Sequence, residues 1–283
     1  MTPLFAGLFD DAAVFPPGSA PLALAVRAYG ARRRVWYAPI AGPLVLPAAA
    51  LPRLAPLLPE GEPTLPISAT FPDGPAGVPA ALANAALLPI DLRSIEVAVP
   101  EGMTTEAFTA ALEAALEDAP DLDVFVEVPR DGRRFPVLAA IKGRHRAKFR
   151  TGGVRAELYP DEAELAAALA AAVAAGVPFK ATAGLHHAVR DTDPETGFEQ
   201  HGFLNLFLAA DALLHGGDET DARALLSERD DERIADLAHG LEGARARAVR
   251  GAFTSFGTCS VTEPLDELIG LGLITTPTHP EGP

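Results

Sequence analysis

A single cysteine, Cys259, serves the whole chain, so no intramolecular disulfide and no cysteine-built zinc site can form. Basic residues are also scarce. Lys and Arg number 23 against 38 Asp and Glu, for a formal net charge of −15. A surface of that sign repels phosphate backbones and anionic headgroups, which argues against nucleic acid and against a membrane as partners. It leaves room for a local basic site that takes a small anionic substrate. Long apolar runs are missing too. The richest, "AELAAALAAAVAAG", is too short to span a bilayer and begins among carboxylates, so it reads as an alanine-rich helix lying on a sheet. The start, "MTPLFAGLFDD", has no basic opening and turns acidic by Asp10, unlike a secretory signal, which makes a cytoplasmic location the expectation. Neither a GxGxxG fingerprint, nor a P-loop, nor a Ser–His–Asp elbow is present, so no cofactor is expected.

What the chain does have is alternation. At 283 residues, 48% hydrophobic and 22% charged, it suits α/β construction. Candidate strands are "LFAGLFDDAAVF" near the start, "RVWYAPI" at 34, "LPISATF" at 65, "SIEVAVP" at 94, "DVFVEVP" at 123, "RAKFRTGG" at 146, "PFKATAG" at 178 and "GAFTSFGTC" at 251. Helical stretches separate them. "TTEAFTAALEAALEDA" begins at a capping threonine, and "PDEAELAAALAAAVAAG" has Pro160 and carboxylates at its start and Gly176 at its end. Strand–helix units in this number predict one (β/α)8 barrel domain over residues 1–283, with a doubly wound sheet as the alternative. The stretch 215–249 is charged and predicts a polar insertion of two helices before the last strand. The sequence leaves a homo-oligomer open.

Parity along the strands locates the charges. In a barrel the outward face packs on helices and is apolar, while the inward face carries the chemistry near the C-terminal mouth. In "SIEVAVP" the outward set is Ile95, Val97 and Val99, which sends Glu96 inward; "DVFVEVP" likewise sends Glu127 inward. In "RAKFRTGG", Ala147, Phe149 and Thr151 face out, so Arg146, Lys148 and Arg150 face in. In "PFKATAG" Lys180 and Thr182 face in. Four consecutive strands thus direct Glu, Glu, Lys and Lys into one interior, where unpaired charge is strongly disfavoured. A lysine amine becomes a nucleophile once deprotonated, and a neighbouring cation or desolvation favours that form. Lys148, with Lys180 on the next strand and Arg150 on its own, is the expected Schiff-base lysine. Lys180 is expected to lower its pKa, and Glu96 or Glu127 to relay protons.

These stretches, taken in order, resemble the deoxyribose-phosphate aldolase family, class I aldolases on a (β/α)8 barrel. "IEVAV" with Glu96 is similar to that family's fourth-strand acidic motif, and "VFVEV" with Glu127 to its fifth strand. "AKFRTGG" matches the Schiff-base lysine motif at Lys148, Thr151 and Gly152, and "FKATAG" matches the second lysine motif at Lys180 and Gly184. "FGTCS" matches the phosphate-contacting last strand at Phe256, Gly257 and Ser260. The resemblance covers residues 94–270 and implies imine chemistry at Lys148. It departs in having Glu96 in place of Asp, Phe149 and Arg150 in place of small residues, and a long polar segment "GLHHAVRDTDPETGFEQHGFLNLF" after the seventh strand. The first third shows no match. A relative with another substrate is the expectation.

Glycines after the last three strands, Gly152, Gly153, Gly184 and Gly257, expose backbone N–H groups suited to an anion. Arg150, Arg155, Arg190, Thr182, Thr258, His186 and His187 are the further candidates for binding a phosphorylated or carboxylated carbonyl compound. Adjacent His186 and His187 point opposite ways in an extended segment, so no metal site is expected from them. Two alternatives stay in play: a metal-assisted lyase or hydrolase using Asp10 or Asp11, Glu127 and a histidine such as His201, and a non-catalytic barrel that binds a small anion. Asp10 and Asp11 equally suit a turn, and Cys259 suits the barrel wall.

Overall fold

Eight parallel strands close on one another in the order β1-β10-β7-β6-β5-β4-β3-β2. The structure is a computed structural model and describes residues 3–58 and 64–277. The barrel strands are β1 (Phe9–Asp11), β2 (Ala41–Pro47), β3 (Leu65–Phe71), β4 (Ile90–Ala98), β5 (Asp123–Glu127), β6 (Arg146–Arg150), β7 (Phe179–Thr182) and β10 (Phe253–Thr258). A separate antiparallel pair, β8 (Asp191–Thr192) and β9 (Glu199–Gln200), lies between β7 and the last strand. Closure leaves the barrel sheet without an edge and gives an interior that the charged positions can share. This is the (β/α)8 barrel that the alternation predicts.

The outward faces are apolar because helices lie against them. Ile95, Val97, Ala147 and Phe179 are fully buried, as are Phe108 and Leu169 on the facing helices α3 (Thr105–Ala115) and α5 (Glu162–Ala175). Both helices have the predicted ends. Thr104 caps α3 by accepting from the Ala107 N–H at 3.2 Å, Asp161 caps α5 through the Glu164 N–H at 2.7 Å, and Gly176 closes α5 in the left-handed region. Around β10, Phe9, Phe203 and Phe256 form one aromatic group, with Phe203 and Phe256 stacked at 4.7 Å.

The second strand lies further along than "RVWYAPI" predicts. Residues 34–40 form turns, with Trp36 40% exposed, and the strand is "AGPLVLP" at 41–47. Its two prolines argue against a strand, yet the register between β1 and β2 shifts just where Pro43 falls, so the missing N–H sits at a bulge. β2 is followed by two short 3-10 turns, Ala48–Arg53 and Ala55–Leu57, because Pro52 and Pro56 interrupt the run. The other helices are α1 (Leu22–Arg32), α2 (Val78–Ala85), α4 (Arg134–Ile141), α6 (Phe203–Leu214) and α10 (Thr262–Gly270).

The charged stretch before the last strand makes three helices, where two were expected: α7 (Glu219–Ser227), α8 (Asp231–His239) and α9 (Gly243–Ala252). Asp218 and Asp230 cap the first two, and Gly240 with Gly243 separates the third. They cover α6, whose residues from Phe203 to Asp211 are all buried, which explains why α6 is apolar nearly all round. No helix among the described residues is long and apolar enough to cross a membrane.

Candidate active site

Register sets the site. Lys148 pairs with Glu127 across β5–β6 and with Lys180 across β6–β7, so these side chains start at neighbouring positions on one wall. Their contacts confirm that they point inward. Lys180 Nζ lies 2.6 Å from Glu96 Oε1 on β4 and 2.5 Å from Asp10 Oδ2 on β1, distances that only the shared interior allows. Lys148 Nζ lies 2.8 Å from Glu96 Oε2 and 2.9 Å from Glu127 Oε2, and Arg150 Nε donates to Glu127 Oε1 at 3.2 Å.

The six groups form one alternating chain: Asp10, Lys180, Glu96, Lys148, Glu127, Arg150. Its three cations and three anions cancel, which is how so many charges tolerate one interior. From Lys180 onward side-chain exposure rises, from 1% there and 2% at Glu96 through 7% at Lys148 and 22% at Glu127 to 38% at Arg150, while Asp10 at the other end is 4% exposed. The chain therefore runs from the barrel's floor to its mouth, and Lys148 is the amine nearer the outside. Around that end the inward positions are small and only half-buried: Pro47, Thr70, Ala98 and Thr182.

Serines and a glycine support the deep end. Ser255 Oγ donates to Asp10 Oδ2 at 2.8 Å, and Ser94 donates to Ser68, which donates to Glu96 Oε1 at 3.2 Å. The Phe125 ring lies 5.1 Å from Lys180 Nζ, giving the ammonium a π face as well. A Cβ on Gly42 would collide with Asp10 Oδ1, so β2 needs glycine there to let the carboxylate in. Gly42→Ala is expected to lower stability by about 1–3 kcal/mol, the usual cost of overpacking, measured by chemical denaturation.

The electrostatics differ from the expectation that Lys180 would lower the Lys148 pKa. Burial acts to lower it, but the charges and hydrogen bonds of Glu96 and Glu127 outweigh burial and raise it. Lys180 is raised too, against burial, by Asp10 and Glu96. The two lysines are neighbours in register, yet Glu96 stands between their amines and neutralises the repulsion. Burial would raise Glu96, but Lys148 and Lys180 outweigh it and hold that carboxyl well below the usual carboxylate range. Glu127 is lowered in the same way by Lys148 and Arg150. Asp10 is raised, because burial exceeds the help of Lys180 and Ser255.

These directions fix a pH dependence of stability. Glu96 and Glu127, lowered in the fold, contribute stability above the ordinary carboxylate range near pH ~4, and that contribution is lost as pH falls through their lowered values. The two lysines, raised in the fold, contribute below the ordinary lysine value near pH ~10, and that contribution is lost as pH rises through their raised values. Asp10 works against the other two acids. The expected thermal midpoint falls towards acid as Glu96 and Glu127 protonate and falls towards strong alkali as the two lysines deprotonate. A midpoint that rises continuously from pH 7 to 11 would contradict paired lysines.

Other predicted residues are placed elsewhere. Thr258 shares the outward register of Asp11, and its hydroxyl donates to the Ser260 carbonyl at 2.8 Å, so it holds a turn and does not face the interior. Thr182 and Gly257 do face each other inside: a Cβ on Gly257 would come 3.2 Å from Thr182 Oγ1. The glycine turns after β6 and β7 are filled. A Cβ on Gly152 would approach both the Tyr159 ring and the Gly184 Cα within 2.8 Å, and one on Gly153 would strike Leu158. Their lack of side chains is explained by this close packing. Gly184 also has φ +69, and Ala183 before it has φ +64, a strained conformation held by the Thr151 hydroxyl donating to the Ala183 carbonyl at 2.6 Å.

His186 Nδ1 stands 3.8 Å from Cys259 Sγ and 3.9 Å from Glu263, on the loop after β7. His187 turns the other way, 2.6 Å from Glu267 of α10, and lines a separate surface cleft of about 620 Å3 with Arg190, Asp191 and Arg229. None of the six chain residues lines that cleft, so His187 does not join Lys148. Arg190 is tied to Glu162 at 2.6 Å and Glu199 at 2.8 Å, and Arg155 is exposed. His201 is buried, accepting from Arg190 and donating through Nε2 to the Pro160 carbonyl at 2.8 Å. Asp11 faces outward and pairs with Arg32 of α1. The acids and histidines of the metal alternative are thus dispersed, and among the described residues no three His, Cys, Asp or Glu side chains are grouped to hold a metal.

Comparison with known proteins adds little chemistry. No family model and no curated protein matches the chain. A crystal structure of a "putative deoxyribose-phosphate aldolase" from Toxoplasma gondii ME49 is similar over 96% of this chain and 94% of that one, at 14% identity and a TM-score of 0.41. So distant a likeness says nothing about substrate, and the chemistry rests on the charged chain itself.

The parts of the site that parity along β4–β7 did not include are Asp10, Ser68, Ser255 and Gly42. A signal existed for Ser68, which alternates with the apolar Ile67, Ala69 and Phe71 of β3.

Proposed function

We propose that the protein is a lyase of the aldolase type in which Lys148 forms an imine with a small anionic carbonyl substrate. The carrying observation is the position of the Lys148 amine. It is the outer of two buried ammonium groups and touches two carboxylates at 2.8 and 2.9 Å. Attack on a carbonyl needs the neutral amine, and each carboxylate is placed to take the departing proton directly. Nitrogen then bonds to the carbonyl carbon, the oxygen takes up the two protons that the ammonium gives up and leaves as water, and the iminium again bears the positive charge. The field of Glu96 and Glu127 that favours the ammonium favours that iminium equally, so the site is preorganised for the charge of the intermediate. Glu127, being part-exposed, is the group that exchanges protons with substrate and solvent, while Glu96 and Lys180 hold the field from below.

A non-catalytic ion-pair lattice is the competing reading, favoured by the complete pairing of both lysines. Trapping separates the two. With a panel of small aldehydes and ketones and borohydride, the intact mass is expected to gain one reduced adduct. The adduct rate should rise from pH 7 towards 10, because the raised Lys148 pKa makes the neutral amine scarce at neutral pH. A protein that binds panel members yet gains no mass at any pH is the lattice.

A further inference from the structure

We infer that the anionic group of the substrate is a carboxylate one or two carbons from the reacting carbonyl, held by the Arg150 guanidinium. This rests on the imine reading of Lys148 and names the class of compound that the site takes. The first ground is the state of the glycine turns. The Gly153 N–H is taken by the Tyr159 hydroxyl, and the Tyr159 ring packs against Gly152 and Gly184. A phosphate cradle needs those N–H groups uncovered.

The second ground is which cation has donors to give. Arg130 uses Nε and Nη2 on Glu164 and Nη1 on the Glu157 carbonyl. Arg134 is bonded to Glu164, and Arg190 to Glu162 and Glu199. Arg150 engages only Nε, on Glu127, so among the described residues its two terminal nitrogens are without a partner at 38% exposure. A planar fork with both terminal nitrogens available matches a carboxylate bidentately.

The third ground is charge and reach. The chain of six is neutral, so an added monoanion is tolerated at the half-buried mouth better than a dianion beside Glu127. Lys148 and Arg150 are two residues apart on one strand face, about 6.6 Å along the strand, and bond opposite oxygens of the same carboxylate. A short oxo acid whose carboxylate meets the guanidinium therefore brings its carbonyl carbon to Nζ. In the imine step the N–C bond forms and the carbonyl oxygen leaves as water, with its protons supplied by the ammonium through Glu127, so nothing else is consumed.

The test compares borohydride trapping of pyruvate, acetoacetate, butanone and dihydroxyacetone phosphate at equal concentrations. In the unmodified protein the oxo acids are expected to react about tenfold faster than butanone or the phosphate ester, the worth of a charge-assisted bond. Arg150→Met should bring the oxo acid to butanone ratio towards one, and Arg150→Lys should recover part of it. A phosphate ester that reacts as fast as pyruvate, or a ratio unchanged by Arg150→Met, overturns the inference. If no carbonyl compound forms an adduct, the imine reading fails by itself. The carboxylate claim is then read by the thermal shift of Lys148→Met with pyruvate: a shift lost on adding Arg150→Met supports it, and no shift overturns it.

Discussion

Replacing Lys148 by methionine is expected to abolish the reduced adduct altogether and to lower stability by about 3–5 kcal/mol, the cost of removing one member of a buried ion pair. The stability loss follows from what remains. Glu96 is 2% exposed, and with Glu127 it would face an apolar side chain, so each carboxylate loses one of the two cations that lower its pKa. Lys148→Arg separates chemistry from packing. It keeps a cation between the two acids but cannot form an imine, so it should lose trapping while keeping most of the stability. Retained trapping in either variant would assign the chemistry to another amine.

Glu96 is the second point of large effect. It touches both lysines and accepts from Ser68, so Glu96→Ala removes the hub of the chain. The expected cost is about 3–5 kcal/mol in chemical denaturation, because two buried ammonium groups each lose a counter-charge. Glu96→Gln keeps an acceptor oxygen and should cost less. Either change weakens the field that raises the Lys148 pKa, so the pH at which trapping accelerates should move down. A Glu96→Ala protein as stable as the parent, with an unshifted pH profile, would show that the chain plays no part in the fold or the field.

How much of this was legible in the sequence depends on strand length. β4, β5 and β6 carry several apolar residues at alternate positions, so parity sends Glu96, Glu127 and Lys148 inward, where their contacts place them. β1 has three residues, two of them Asp, and alternation over so short a run does not decide which Asp turns in. β2 hides behind Pro43 and Pro47, whose penalty is relieved only by a bulge against β1, a tertiary feature. The pKa direction of Lys148 was missed for a related reason. Sequence neighbours suggested cation beside cation, whereas the barrel's curvature brings Glu96 from β4 between the two amines. The packing of Tyr159 and Leu158 against the glycine turns was not legible either, because they reach them from a loop that no strand periodicity reports.

The most direct test of imine chemistry at Lys148 is peptide mapping of the borohydride-reduced adduct by mass spectrometry. The expected result is a single modified peptide, with the added mass on Lys148 and none on Lys180, which is 1% exposed beneath it. Modification at Lys180 or at a surface amine, with Lys148 untouched, would contradict the account.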